Sequence, residues 1–242
     1  MRAVLAANGR MLQVSQPSSW FDNTAKAMES ALLGLPGVLS SHVEVDAEGR
    51  VQAIHLLAGP GRAEHQLLRD VQSLMAISFG QEVERGIVQV TRVGGGDEYG
   101  QSRLRLLRHR LESEGTQVGV VVELGNGDQV FRGEARGNRS PTALLRMAAV
   151  ATARAVVAAL YRMVEVEVFS VQRVRLGHRS VALVGITAGG GILSPQEYVG
   201  AVLIKLDETE ATCRAVLDGV NRFFALAGQM APEGTGGQST NV

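Results

Sequence analysis

One order of predicted elements occurs twice between residues 102 and 227, and this repetition limits the possible folds more than any other feature of the chain. Hydrophobic periodicity predicts three strands and one helix in each copy: 104–112, 117–124, 129–135 and 141–161, then 164–176, 180–187, 198–206 and 208–227. The copies meet near Arg162 and Met163. Strands that follow one another in threes, each set closed by a helix, predict an α+β domain that is duplicated.

A different order precedes this repeat, over residues 21–93. A predicted helix over 21–35 ends at Pro36, and a hairpin of two strands, 42–45 and 51–57, follows it. A second amphipathic helix closes at Gly80, and a strand over 87–93 completes a helix-strand-strand-helix-strand module. This order is similar to that of the small ring-building domains of secretion and sporulation assemblies.

Three consecutive glycines begin the segment 94–101, which we interpret as a linker because glycine has the largest backbone entropy and no side chain to pack. We therefore predict two domains of α+β class, an N-terminal αββαβ module over 21–93 and a duplicated βββα-βββα domain over 102–227. Residues 1–20 form an N-terminal extension, and the Gly, Ser and Thr-rich residues 228–242 form a disordered tail.

Composition excludes several classes of protein. Lys and Arg together number 24, as do Asp and Glu, so no net charge favours nucleic acid or an anionic membrane. The most apolar stretch, 143–164, is interrupted by three arginines and is too polar for a membrane span. Cys213 is the sole cysteine, which rules out an intrachain disulfide and indicates a cytoplasmic protein.

Residues that could perform catalysis are not grouped in the sequence. The five histidines lack metal-ligand spacing, although His42 and His55 could approach each other across the hairpin. Cys213 lies in the middle of a predicted helix among small residues, as a buried and inert thiol would. We expect no metal and no cofactor, and the sequence favours a non-catalytic protein over an enzyme.

Two loops before predicted helices are candidate binding sites. Gly59, Gly61 and Arg62 could hold a phosphate or carboxylate, since a helix N-terminus presents free N–H groups and a positive dipole. The loop of Gly137, Asn138, Arg139 and Ser140 offers the same physics to a ligand. The alternative for both is an ordinary loop, with Ser140 acting only as the N-cap.

Arginines alternate with leucines over residues 103–111, at Arg103, Arg105, Arg108 and Arg110. Such a segment could contact RNA phosphates. A solvated strand face is the alternative that we favour, because aromatic residues are few and acidic residues follow directly. Nucleic acid is therefore an unlikely partner.

Residues 102–225 resemble the C-terminal regulatory domain of 2-isopropylmalate synthase, which also has two halves of three strands and one helix. The matching positions lie before and along the two helices: Gly137, Asn138, Ala143, Glu210, Ala211, Thr212, Ala215, Asn221 and Arg222. The resemblance implies a pairing of two copies and an amino acid as ligand. The catalytic barrel of that synthase needs ~200–250 further residues, for which these 242 leave no room.

These observations lead to one main hypothesis and two alternatives. We expect a non-catalytic, ligand-sensing or regulatory protein, a homodimer that binds a small metabolite such as an amino acid. The first alternative is a structural or assembly protein that forms oligomers with copies of itself or another protein partner and needs no ligand. The second is an RNA-binding protein that uses the arginine-rich strand.

Overall fold

A computed structural model of the chain describes residues 19–93, 104–114 and 117–230. These residues form four helices: α1 (Ser19–Leu32), α2 (Glu64–Phe79), α3 (Pro141–Ala159) and α4 (Glu208–Met230). They also form nine strands: β1 (Val38–Val45), β2 (Val51–Ala58), β3 (Val88–Arg92), β4 (Arg105–Glu114), β5 (Gln117–Asn126), β6 (Gln129–Asn138), β7 (Glu165–Leu176), β8 (Arg179–Gly190) and β9 (Leu193–Ile204). The predicted α+β class is confirmed.

The first sheet has the strand order β1-β2-β3, with β1 antiparallel and β3 parallel to the central β2. Helices α1 and α2 cover one face, where Met28, Leu32, Ile54, Leu67 and Val71 are buried in one cluster. Gly80 ends α2 in the left-handed conformation, φ 64°, as its position in the sequence predicts.

The other face of this sheet packs on the second part of the chain. Leu39, Leu57 and Val93 belong to the large buried cluster of the second part rather than to the cluster under α1 and α2. Hydrogen bonds cross this junction from Ser40 Oγ to the Met163 carbonyl, 2.5 Å, and from the Ile192 N–H to the Leu39 carbonyl, 2.9 Å. The first sheet therefore contacts the second part at one end of this face, whereas Glu44 and Gln89 farther along it are exposed.

The repeat predicted from the sequence is present as two antiparallel sheets, β4-β5-β6 and β7-β8-β9. Helix α3 packs on β5 and β6, α4 packs on β8 and β9, and the helices contact each other. The register shows how close the halves are, since the first strand of each carries one bulge, at Leu107 and at Phe169.

Two glycines at equivalent positions let each helix approach its sheet closely. Gly133 pairs with Val122, and Gly200 pairs with Val184, on the face that each sheet turns toward its helix. A Cβ built on either glycine would come under 3.0 Å from helix backbone atoms. The small residues of α3 serve this contact, which explains the alanine-rich composition of the helix without a second protomer.

Helix α3 is the one helix in the described ranges that is long and apolar enough to cross a membrane by length and composition. Nine of its residues are buried, among them Ala148, Thr152 and Val156. It therefore occupies the position of a core helix between the sheets.

The observed bounds differ from the predicted ones mainly at β1, which begins at Val38 instead of residue 42, and at β9. The strand begins at Leu193 instead of residue 198 and contains Pro195, because the preceding glycines form a tight turn at Gly190 and Gly191, both with positive φ. Helix α4 continues to Met230, into the segment predicted as a tail. The predicted linker over 94–101, residues 1–18 of the extension and the tail from residue 231 lie outside the described residues.

Candidate functional site

The loop before α2 brings Arg62 to a partner that the sequence analysis did not identify. Arg62 Nη2 lies 2.5 Å from Asp70 Oδ2, two turns into the helix, and both side chains are about one third exposed. The Arg62 Nε is buried and has no hydrogen-bond partner among the described residues. The guanidinium therefore lies along the side of α2 and already faces a carboxylate.

The two glycines of this loop have structural roles. The Gly59 N–H donates to the Gly37 carbonyl, 3.0 Å, and Gly61 turns the chain with φ +103°. The first turn of α2 carries Glu64, and its N-cap, Ala63, makes no side-chain hydrogen bond. An anion at this helix end stays a prediction, although the acid in the first turn opposes it.

Arg62 and Asp70 form the charged side of an open cleft of about 330 Å³ between the end of α1 and one face of α2. Its apolar lining consists of Leu35, Pro36, Leu74 and Ile77. Ile77 is 84% exposed, which is unusual for a large aliphatic side chain. We name this site the Arg62 cleft, and its volume and mixed lining suit a small molecule with an apolar body and charged groups.

The second predicted site lies at the corner between β6 and α3. Ser140 is the N-cap, and its Oγ accepts a hydrogen bond from the Ala143 N–H, 3.2 Å. Gly137 lies under the Met147 side chain, and Arg139 Nη2 donates to Ser113 Oγ, 3.0 Å. Asn138 accepts from the Ser140 N–H, 3.0 Å. The capping alternative therefore accounts for Ser140, and ligand binding at this corner stays a prediction.

The two hairpin histidines are directly paired between β1 and β2, with ring centroids 6.4 Å apart. His55 is only 4% exposed and stacks on Tyr161, with centroids 3.8 Å apart and planes inclined by 8°. Burial lowers the pKa of His55 below 6.5, against the attraction of the Glu44 carboxylate 3.6 Å away. His55 is therefore a neutral ring held between the two parts of the molecule, whereas the sequence indicated only that it could approach His42.

His42 bonds to a helix instead. Its Nδ1 lies 2.9 Å from Glu29 Oε1, which also accepts from the N–H of Val43 at the sheet edge, 2.9 Å. Burial alone would raise the pKa of Glu29, but these hydrogen bonds outweigh it and lower the pKa below 4.5. The hydrogen bonds of Glu29 thus connect α1 to β1.

Tyr161 reaches His55 through an unusual helix ending. Tyr161 and Arg162 have φ of 47° and 58°, the two left-handed non-glycine residues in the described part of the chain. The Arg162 N–H closes the turn on the Val157 carbonyl, 3.0 Å. No glycine marks this ending in the sequence, which is why we predicted a helix through Tyr161.

Two arginines of strand β4 share one carboxylate, whereas Arg105 is exposed and Arg103 lies outside the described residues. Arg108 and Arg110 lie 3.0 and 3.1 Å from the two carboxylate oxygens of Glu123 on β5. Arg132 on β6 lies 3.4 Å from Glu134. This surface is a network of ion pairs, as expected for the solvated strand face.

The described ranges hold neither a cluster of metal-ligating side chains nor an activated thiol nucleophile. No cluster of three or more His, Cys, Asp or Glu could hold a metal ion there. Cys213 is buried against the Ala148 carbonyl of α3, and burial raises its thiol pKa to about 11. A thiol with such a pKa is a poor nucleophile at neutral pH.

Fold and site together describe an α+β protein with an open amphipathic cleft. Neither a protein-family model nor a curated protein sequence matches the chain. The Arg62 cleft therefore has to be interpreted from its own chemistry.

Proposed function

We propose that this protein is a non-catalytic regulatory protein, cytoplasmic and homodimeric, that senses an amino acid in the Arg62 cleft. The observation that carries the proposal is the Arg62–Asp70 pair at the rim of an apolar cleft. The kinship with the regulatory domain of 2-isopropylmalate synthase is part of the same proposal, supported by the three-strand-plus-helix order of both halves.

The charges of the cleft favour a zwitterion over a simple anion. An α-carboxylate can take the accessible guanidinium donors of Arg62, while the α-ammonium takes Asp70. An anion would gain Arg62 but would face the Asp70 carboxylate. The apolar lining, with Leu74 and Ile77, then suits an aliphatic or thioether side chain.

The test is a binding experiment on the full chain with leucine, isoleucine, valine and methionine, by calorimetry and by thermal shift. One of them should bind, and its decarboxylated amine and its deaminated acid should each bind at least about tenfold more weakly, since each loses one ion pair. Failure of all four to bind, or equal binding of the amine or the acid, would refute the proposal.

Variants then locate the site. Arg62→Gln with Asp70→Asn removes both charges without leaving one unpaired, and should abolish binding. Arg69→Gln is the matched control, because it removes a neighbouring exposed arginine of the same helix that does not line the cleft. Unchanged affinity in the double variant would exclude this cleft.

The assembly alternative has its own support in an exposed apolar sheet surface, described below. RNA binding has less support, because Arg108 and Arg110 of β4 are paired with Glu123.

A further inference from the structure

The outer face of the last sheet is apolar, although no part of the described chain covers it. Val184 and Ile186 point toward α4, so the alternate residues of β8 and their cross-strand partners point outward. The apolar residues among them define what we name the outer apolar face: Phe169, Val174, Val181, Leu183, Val199 and Leu203. Of these, Phe169, Val174, Val199 and Leu203 are 40–46% exposed. Ser170 and Gln172 of β7 also point outward, beside Gly185 and Leu183.

The bulge in β7 gives this face its largest side chain. Phe169 is the extra residue between the pairs Val168–Ile186 and Ser170–Gly185, and its ring lies against Gly185. A Cβ on Gly185 would come under 3.0 Å from the ring, so the glycine makes room for it. The aromatic ring lies over the central strand at Gly185.

The face has the size of a small specific interface. Three strands of 12 residues, at ~4.8 Å spacing and ~3.3 Å rise, span roughly 15 by 40 Å. Small specific interfaces bury ~600–800 Å² per partner. The whole outer side of the sheet reaches this area, and the apolar residues lie in its middle rows, as they do in the core of an interface.

Charges at its two ends identify the partner. Glu167 and Glu197 flank Thr187 at one end, and Arg179 and Lys205 lie at the other, all four exposed. A two-fold axis that runs across the strands at Leu183 would set residue 187 over residue 179 of a second copy. Acidic and basic ends would then meet, and the ring of Phe169 would face the Val181 row of the partner.

We propose that the outer apolar face is the surface through which two copies of this chain pair, with Leu183 on the two-fold axis. The proposal rests on the homodimer of the proposed function and names its surface. The C-terminal residues 231–242 are a poor occupant, since Val242 is their only large apolar side chain. Coverage by the N-terminal residues 1–18 is an outcome that the test separates.

The first test is the mass of the full chain in solution, by light scattering and sedimentation over a concentration series. The native chain should be a dimer. Val199→Arg with Leu203→Arg should raise the dimer Kd at least about thirtyfold, because it places charges in the centre of the interface. Leu206→Arg is the matched control, since Leu206 is a fully exposed leucine off this face.

The second test is a thiol cross-link at the axis. Cys213 is buried, so Leu183→Cys adds one accessible thiol, and a short bis-maleimide should join two copies through it. Arg132→Cys, on the more exposed outer surface of the other sheet, should not cross-link.

The outcomes separate the proposals. A monomeric native chain overturns both this surface and the homodimer. The same holds for a monomer in which residues 1–18 shield the thiol at residue 183. Amino-acid binding is judged separately, by the binding experiment. A dimer that survives the double arginine variant, or that gives no cross-link from residue 183, overturns the surface alone.

Discussion

The outer surfaces of the two duplicated sheets differ in charge at six matched positions, although their inner surfaces serve the same purpose. Because Gly133 and Gly200 are equivalent, the pairing registers align the halves residue by residue. At these positions the first half is charged and the second is uncharged: Arg108 with Ser170, Arg110 with Gln172, Glu123 with Gly185, Arg132 with Val199, Glu134 with Ala201 and Arg136 with Leu203.

This difference shows which properties the shared fold requires. Both halves keep the bulge in the first strand and the glycine under the helix, since these determine how the helix packs. The outward residues are free of that constraint. One sheet uses them for ion pairs in water, and the other presents an apolar surface of the kind that a partner covers.

The largest effect is expected where the halves agree. Gly133→Ala and Gly200→Ala should each lower the free energy of unfolding by about 3 kcal/mol, since the new methyl group would overlap the backbone of α3 or α4. Urea denaturation measures both. Gly119→Ala is the control, because a Cβ there meets its nearest atom at 3.6 Å and should cost less than about 1 kcal/mol. If either Gly133→Ala or Gly200→Ala left the free energy of unfolding unchanged, the two glycines would not be equivalent.

A second effect separates the halves by their contact with the first sheet. The end of the first half stacks Tyr161 on the titratable His55, whereas the second half donates the Ile192 N–H to Leu39. Burial lowers the pKa of His55, so the unfolded chain binds its proton more readily than the folded one. The contribution of His55 to the free energy of unfolding should be fully present above pH 6.5. It should fall as the pH drops toward the lowered pKa, by up to about 1.4 kcal/mol per pH unit.

His55→Phe keeps an aromatic ring against Tyr161 and removes the titration. Its unfolding free energy should therefore lose less between pH 7 and pH 5 than that of the native chain. Equal slopes in the two proteins would mean that His55 does not titrate at this junction.

A third effect concerns the charged surface alone. Glu123→Gln removes the carboxylate that binds Arg108 and Arg110, both largely exposed, and should cost less than about 1 kcal/mol. The loss should shrink in high salt because exposed charges are screened. A cost above about 2 kcal/mol that salt does not reduce would show that the network holds the sheet together rather than solvating it.

Periodicity predicted the repeat because each strand has one buried side, and the helices carry continuous apolar stripes. The start of β9 was missed, since Pro195 at a sheet edge and the glycines before it resemble a loop in the sequence. The partition into two domains is less simple than the glycine run suggests, because the first sheet shares Leu39 and Leu57 with the core of the second part.

Sequence reasoning identified Arg62 but not its site. Spacing of eight residues does not reveal that Arg62 folds back to Asp70, because that contact depends on how Gly61 turns the chain. The stacking of His55 on Tyr161 depends on a helix that ends without glycine, and no local sequence pattern predicts that ending. The alternating apolar residues of β7 to β9 are visible in the sequence. Only the strand register shows that they lie side by side on the outer apolar face.

The smallest effect is expected at the joint between the halves, where α3 must stop for β7 to begin. Arg162 is exposed with φ 58°, a conformation that costs a non-glycine residue about 1 kcal/mol. Arg162→Gly should therefore raise the free energy of unfolding by about 0.5 kcal/mol, after the entropy that glycine loses on folding. Arg162→Ala should give no gain, because alanine has the same steric conflict. Urea denaturation of the two variants separates the backbone effect from the loss of the arginine side chain. A gain in free energy of unfolding in both variants would show that the side chain, and not the left-handed conformation, is unfavourable at this joint.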